Sequence, residues 1–229
     1  MTPARCSRRS PSFRAFSVAE PLERGFVKIC GVTNVDDARA AVRAGASALG
    51  LIFADSPRRV TRTQARAILD ATRGELLRSA VFRENDGESI RAHLEDLDVE
   101  VVQIHGELSD ELLATIRERP MLLVKALSID AEEFNTFDDS KVDAVLIDGP
   151  QPGSGNSHSW ERLATRSFRV PVIIAGGLNP ENVAATIIAT KAWGVDCASG
   201  VEDSARRKDH RRVSSFVANA RQAFAMLEE

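Results

Sequence analysis

The sequence predicts one (β/α)8 barrel. Three observations carry this. From Phe26 onward eight short apolar runs recur, each is followed by a segment with helical spacing, and no Gly-x-Gly-x-x-Gly opens a helix, as the doubly wound alternative would lead one to expect. Runs this short and apolar suit parallel strands buried on both faces. The length of 229 residues fits one domain, because barrels of roughly 200 to 250 residues fold around a single core.

The elements follow in order. Residues 1–25 stand apart: Arg5, Arg8, Arg9, Arg14 and Arg24 outnumber Glu20 and Glu23, Pro3, Pro11 and Pro21 punctuate the stretch, and no apolar periodicity runs through it. This predicts a disordered extension, an organelle-targeting peptide or a product of an upstream start codon, ahead of a catalytic domain over 26–229. The first strand is expected over Phe26–Cys30, with Asn34 capping a helix that begins at Asp36-Asp37. Ala48–Phe53 is the second strand, and Thr61 ahead of Gln64 caps its helix. Leu77–Phe82 and Val101–His105 are the third and fourth, the latter followed by a cap at Ser109. Leu122–Leu127 precedes a helix over Asp130–Phe137, and Ala144–Asp148 one over Ser159–Thr165. Val172–Gly176 leads into Asn179–Lys191, and Val195–Ser199 into Asp209–Leu227.

Composition narrows the function. With 43% hydrophobic and 28% charged residues the chain reads as soluble and globular. It has no run near the roughly 18 apolar residues of a membrane span. A formal net charge of −3 lacks the basic footprint of a nucleic-acid binder, so a small metabolite is the expected partner. Cys6, Cys30 and Cys197 are too widely spaced for a zinc site or a disulfide scaffold. A reducing compartment, the cytoplasm, is therefore expected, and with no His/Cys/Asp cluster in the sequence a metal site is not.

In a barrel the chemistry sits at the C-terminal strand ends. Those ends supply Cys30, Phe53 with Arg58 beyond it, Phe82, His105, Lys125, Asp148, Gly176-Gly177 and Ser199-Gly200. The last two pairs follow strands seven and eight, where backbone N–H groups can meet a phosphate and a side chain would block the approach; a tight turn before Pro180 is the plainer reading of Gly176-Gly177. Arg58 offers a planar fork suited to a carboxylate, or is a solvated surface residue. Cys30 is a small buried hydrophobe or, beside cations, a base. Asp148 starts a turn or, if buried enough to stay protonated, acts as an acid. His105 binds substrate or is structural. Lys125, a charge inside a strand run, is expected to point into the barrel or its mouth. His93, His158 and His210 are assigned no role.

Together, Val27-Lys28-Ile29-Cys30-Gly31-Val32-Thr33, Gly50-Leu51-Ile52-Phe53, Ser56-Pro57-Arg58, Gln103-Ile104-His105-Gly106, the stretch from Ala175 to Val183, and Gly194-Val195-Asp196 through Ser199-Gly200-Val201-Glu202 resemble the phosphoribosylanthranilate isomerase family of tryptophan biosynthesis. The resemblance runs from about Phe26 to the C-terminus. It implies a cofactor-free Amadori rearrangement of a phosphoribosyl substrate by a monomer or homodimer, with Asp148 as general acid, Cys30 as general base, Arg58 on the anthranilate carboxylate and Asp196 on sugar hydroxyls. Three segments depart from the family pattern: Arg83-Glu84-Asn85 after strand three, Pro152-Gly153-Ser154-Gly155-Asn156 after strand six, and Ala205-Arg206-Arg207 near the end. Ala198 also replaces a serine of the family's strand eight.

Overall fold

Phe26–Cys30 forms β1, which pairs in parallel with β2 (Ala48–Ile52) on one side and β8 (Gly194–Cys197) on the other, so the sheet closes on itself. Between them β3 (Leu77–Phe82), β4 (Val101–Ile104), β5 (Leu122–Ser128), β6 (Ala144–Asp148) and β7 (Val172–Ala175) complete an eight-stranded parallel barrel in chain order. This is a computed structural model, described over residues 22–83, 87–95, 97–149, 160–204 and 206–228. The expectations for residues 1–21, for His158 and for the segment Pro152 to Asn156 lie outside the described residues.

Strand alternation separates two cores. Phe26, Ala48, Val101, Val124, Ala126, Ala144, Leu146 and Ile173 fill the barrel, while Val27, Ile29, Leu49, Leu51, Leu123, Ile147 and Ile174 face the helices. Leu22 is buried against the inner set, and its carbonyl accepts from Trp193 Nε1. Leu22, placed by composition in the extension, is therefore part of the packing inside the barrel.

The helices α1 (Val35–Ala44), α2 (Arg62–Ala71) and α4 (Asp110–Arg117) start at the predicted caps Asn34, Thr61 and Ser109, each accepting a backbone N–H of its first turn. Thr61 and Gln64 form a full capping box. The third helix, α3, covers Gly87–Leu94. Elsewhere the expected helices shrink. After β5 only one turn, α5 (Glu133–Thr136), forms, because Glu132 supplies no side-chain cap. After β6 the chain makes a 3-10 turn at Glu161–Thr165, again uncapped. The helix expected from Asn179 begins later, as α6 (Val183–Thr190), since the Asn179 side chain accepts from the N–H groups of Glu181 and Asn182 and holds them in a turn. The last helix, α7 (His210–Ala225), is capped by Asp209.

Lys125 corrects one expectation. Val124 and Ala126 take the inner face of β5, so Lys125 points outward. It is buried under α5, with Nζ 3.1 Å from Glu133 Oε2 and over the Phe137 ring. Phe53 and Phe82 likewise leave the mouth: they stack outside the barrel at 5.4 Å, with His93 edge-on to both.

Candidate active site

Cys30 and Lys28 share the inner face of β1. The thiol lies over Gly50, where a Cβ would sit 2.7 Å from Sγ, so only glycine leaves it room. Lys28 Nζ donates to Gln103 Oε1 at 2.9 Å and to Asp196 Oδ2 at 2.8 Å, and Gln103 Nε2 stands 2.8 Å from His105 Nε2. A polar chain thus runs across the barrel from β8 through β1 to β4. Among the described residues no donor reaches the buried Oδ1 of Asp196.

Asp148 ends β6 on the inner face, half-buried. Gly176 passes beneath it with φ +89°, a left-handed conformation that L side chains rarely adopt, and a Cβ there would lie 2.8 Å from Asp148 Oδ1. Gly177 is also left-handed, at φ +62°. Ser199 and Gly200 belong to a 3-10 turn, Ser199–Val201, directly after β8. A Cβ on Gly200 would meet the Leu178 carbonyl oxygen at 1.8 Å, so the loops after β7 and β8 touch backbone to backbone.

Arg58 reaches the rim next to Cys30; a Cβ on Gly31 would touch its Cδ. Its fork is already engaged: Nε and Nη2 each donate to Glu202 at 2.7 Å, and Glu202 also accepts from Lys208 Nζ at 2.7 Å. Glu202 and Lys208 are almost fully buried.

The environment sets the protonation states. Burial, and then the negative charge of Asp196, push the Asp148 carboxyl above the usual aspartate range, against Arg83. Burial also raises the Cys30 thiol, with Lys28 pulling it down, Asp196 pushing it up and Lys208 pulling it down. Burial, then Lys28, Arg83 and Lys125, lower His105 to about 4, so its ring is neutral. Burial opposes the charge on Lys28, yet Asp196 and Cys30 hold it firmly protonated.

The mouth thus brings together Cys30, Asp148, Arg58, His105, Asp196 and the glycine turns, and leaves out Phe53, Phe82 and Lys125. Three participants escaped the sequence reading as site residues: Lys28, Glu202 and Lys208; Gln103 stood among the strand-end residues but was given no role. Lys28 was within reach, since a residue two before Cys30 on a strand must share its face. Cys197 faces outward, its thiol donating to the Leu178 carbonyl and pushed up to about 12. Among the described residues no cluster of His, Cys, Asp or Glu is arranged to hold a metal ion.

A closed parallel barrel with a thiol, a carboxylic acid and paired glycine turns at the C-terminal strand ends has the layout of a barrel enzyme. The chain belongs to the N-(5'-phosphoribosyl)anthranilate (PRA) isomerase family, whose profile matches residues 27–219. It is 37% identical over 201 residues to N-(5'-phosphoribosyl)anthranilate isomerase of Desulforudis audaxviator, covering 86% of this chain and 98% of that one. The crystal structure of phosphoribosyl anthranilate isomerase from Thermotoga maritima superposes with a TM-score of 0.77 at 34% identity, over 86% of this chain and 98% of the other. A phosphoribosyl anthranilate isomerase structure in complex with reduced 1-(o-carboxyphenylamino)-1-deoxyribulose 5-phosphate matches at TM-score 0.71 and 33% identity, over 86% and 98%.

Proposed function

We propose that this chain converts N-(5-phosphoribosyl)anthranilate into 1-(2-carboxyphenylamino)-1-deoxyribulose 5-phosphate, the Amadori step of tryptophan biosynthesis, by acid and base catalysis between Asp148 and Cys30. The observation that carries the roles is the pairing of a carboxyl held above its usual range with a thiol that shares its strand face with a cation. An acid must keep its proton until the ring oxygen needs it, and burial beside Asp196 favours that.

Asp148 gives its proton to the ribose ring oxygen as the C1–O bond breaks, and the nitrogen lone pair forms the iminium. The Cys30 thiolate takes the proton from C2, and its electrons close the C1–C2 double bond of the enolamine. Loss of the C2 hydroxyl proton and protonation at C1 then yield the ketone. Asp196 Oδ1 accepts from a sugar hydroxyl, and neutral His105 adds a further hydrogen bond. Gly176, Gly177, Ser199 and Gly200 receive the phosphate, supported by left-handed turns that keep the backbone bare. Arg58, oriented by Glu202, turns its remaining N–H groups to the anthranilate carboxylate. The reaction is assigned to the cytoplasm, in keeping with the unpaired thiols of Cys30 and Cys197.

The test is turnover of the purified enzyme together with rescue of an isomerase-deficient tryptophan auxotroph. Cys30→Ala and Asp148→Ala are each expected to lower kcat by about a hundredfold or more and to abolish rescue. Normal turnover in folded Cys30→Ala would remove the base from this scheme.

A further inference from the structure

Resting on the reading of Cys30 as the base, we propose that Lys28 is a positioning residue of this site: a buried cation that stands beside the Cys30 thiolate and, through Gln103, dictates which ring nitrogen of His105 carries the proton.

A buried ammonium is costly and persists only when paired. Lys28 is 3% exposed, inside the barrel rather than at its rim. Its stem and the Cys30 thiol lie side by side over one glycine: a Cβ on Gly50 would be 3.1 Å from Lys28 Cε and 2.7 Å from Cys30 Sγ. The other charges facing the thiol are Asp196 from β8, Lys208 from the segment before α7, and Arg58 from the loop after β2. Arg58 and Lys208 are both committed to Glu202, which offsets one of their two charges, and Asp196 opposes the thiolate. Lys28 is the cation with the largest effect on Cys30.

The second half follows from donor and acceptor inventory. An ammonium only donates, so the Gln103 atom 2.9 Å from Lys28 Nζ is the oxygen. The amide nitrogen then faces His105 Nε2, and since it too only donates, Nε2 must accept. The neutral ring therefore carries its proton on Nδ1, leaving Nδ1–H as its one donor.

The thiol titrates above the acid, so the productive form, thiolate with protonated Asp148, is a minor species. Each unit by which the thiol moves up lowers that species about tenfold and moves the alkaline limb of kcat/KM by the same unit. In a Cys6→Ser background, Lys28→Met is expected to raise the Cys30 titration, read from the ultraviolet absorbance of the thiolate, by about one unit or more. The alkaline limb should shift with it and the kcat/KM plateau should fall in proportion. Asp196→Asn should move the same titration down. If Lys28→Met fails to fold around an unpaired Asp196, the double variant Lys28→Met/Asp196→Asn, compared with Asp196→Asn alone, carries the same expectation. Nitrogen NMR of the His105 ring should show Nδ1–H in the parent enzyme. A thiolate titration and alkaline limb unmoved in the folded Lys28 variant would overturn the first half, whatever happens to turnover, and Nε2–H in the parent would overturn the second. Loss of turnover in Cys30→Ala keeps these outcomes separate from failure of the base assignment itself.

Discussion

Asp148 is costly to the fold in the state the barrel holds it. A carboxyl whose folded value is raised above the ordinary 3.8 contributes stability only below the unfolded value, and that contribution is lost as pH rises through the folded one. Wherever Asp148 ionises, the folded protein bears a buried negative charge facing Asp196. Asp148→Asn keeps the shape and removes the charge. Its melting temperature is expected to exceed that of the parent at pH 7, with the advantage shrinking as pH falls toward 3.8, while turnover drops with the lost acid. Thermal unfolding across pH measures this, and an equal or lower Tm at pH 7 would contradict the burial argument. Arg58 shows the limit of reading residues singly. A planar fork near a strand end announces a carboxylate partner, but sequence distance hid that Glu202, 144 residues later, already holds it.

At the scale of elements, the loops after β7 and β8 act as one piece, because Gly200 packs against the Leu178 backbone with no room for a Cβ. Gly200→Ala forces the 3-10 turn Ser199–Val201 away from Gly176-Gly177. It is expected to destabilise by more than about 1 kcal/mol, the usual scale when a backbone position rejects a side chain, and to raise KM more than it lowers kcat, since it disturbs the anion turns and not the acid or base. Urea unfolding and steady-state kinetics on the variant decide this; an unchanged KM would separate Gly200 from the phosphate site. The strands were legible because each is a short apolar run with turn residues at its ends, and burial on both faces leaves little else such a run can do. Helices whose caps stand in the sequence reading, α1, α2 and α4 at Asn34, Thr61 and Ser109, were legible for the same local reason. The segments after β5 and β6 lack caps and collapse to single turns, a difference that apolar spacing alone does not register. Lys125 was misplaced because the inner or outer face of a strand depends on where pairing starts, and β5 supplies apolar residues to both.

Over the whole molecule, the first and last βα units are fastened by more than the β1 to β8 ladder. Arg221 of α7 donates to the carbonyls of Gly25 and Gly45 and to Ser47, Lys208 N–H and His210 meet Asp37 of α1, and Glu202 joins Arg58 to Lys208. One of these ties is a buried carboxylate held between two cations. Burial would raise Glu202, but the hydrogen bonds and charges of Arg58 and Lys208 hold it below the ordinary 4.5. A depressed group contributes stability that is present above the unfolded value and lost as pH falls through the folded one. Below pH 4.5 the parent should lose part of its stability in step with protonation of Glu202, alongside Asp139, which Arg169 holds low in the same way. Glu202→Gln removes the charge that balances Lys208, whose Nζ keeps the Ala198 carbonyl, at a cost of about 3 kcal/mol near neutrality for breaking a buried pair. In this variant the acid limb should flatten, because the missing group can no longer be protonated, so the gap between parent and variant narrows as pH drops from 7 to below 4.5. Urea midpoints measured at several pH values read this directly. A gap that stays constant with pH would mean that Glu202 holds the barrel closed by packing and not by its charge.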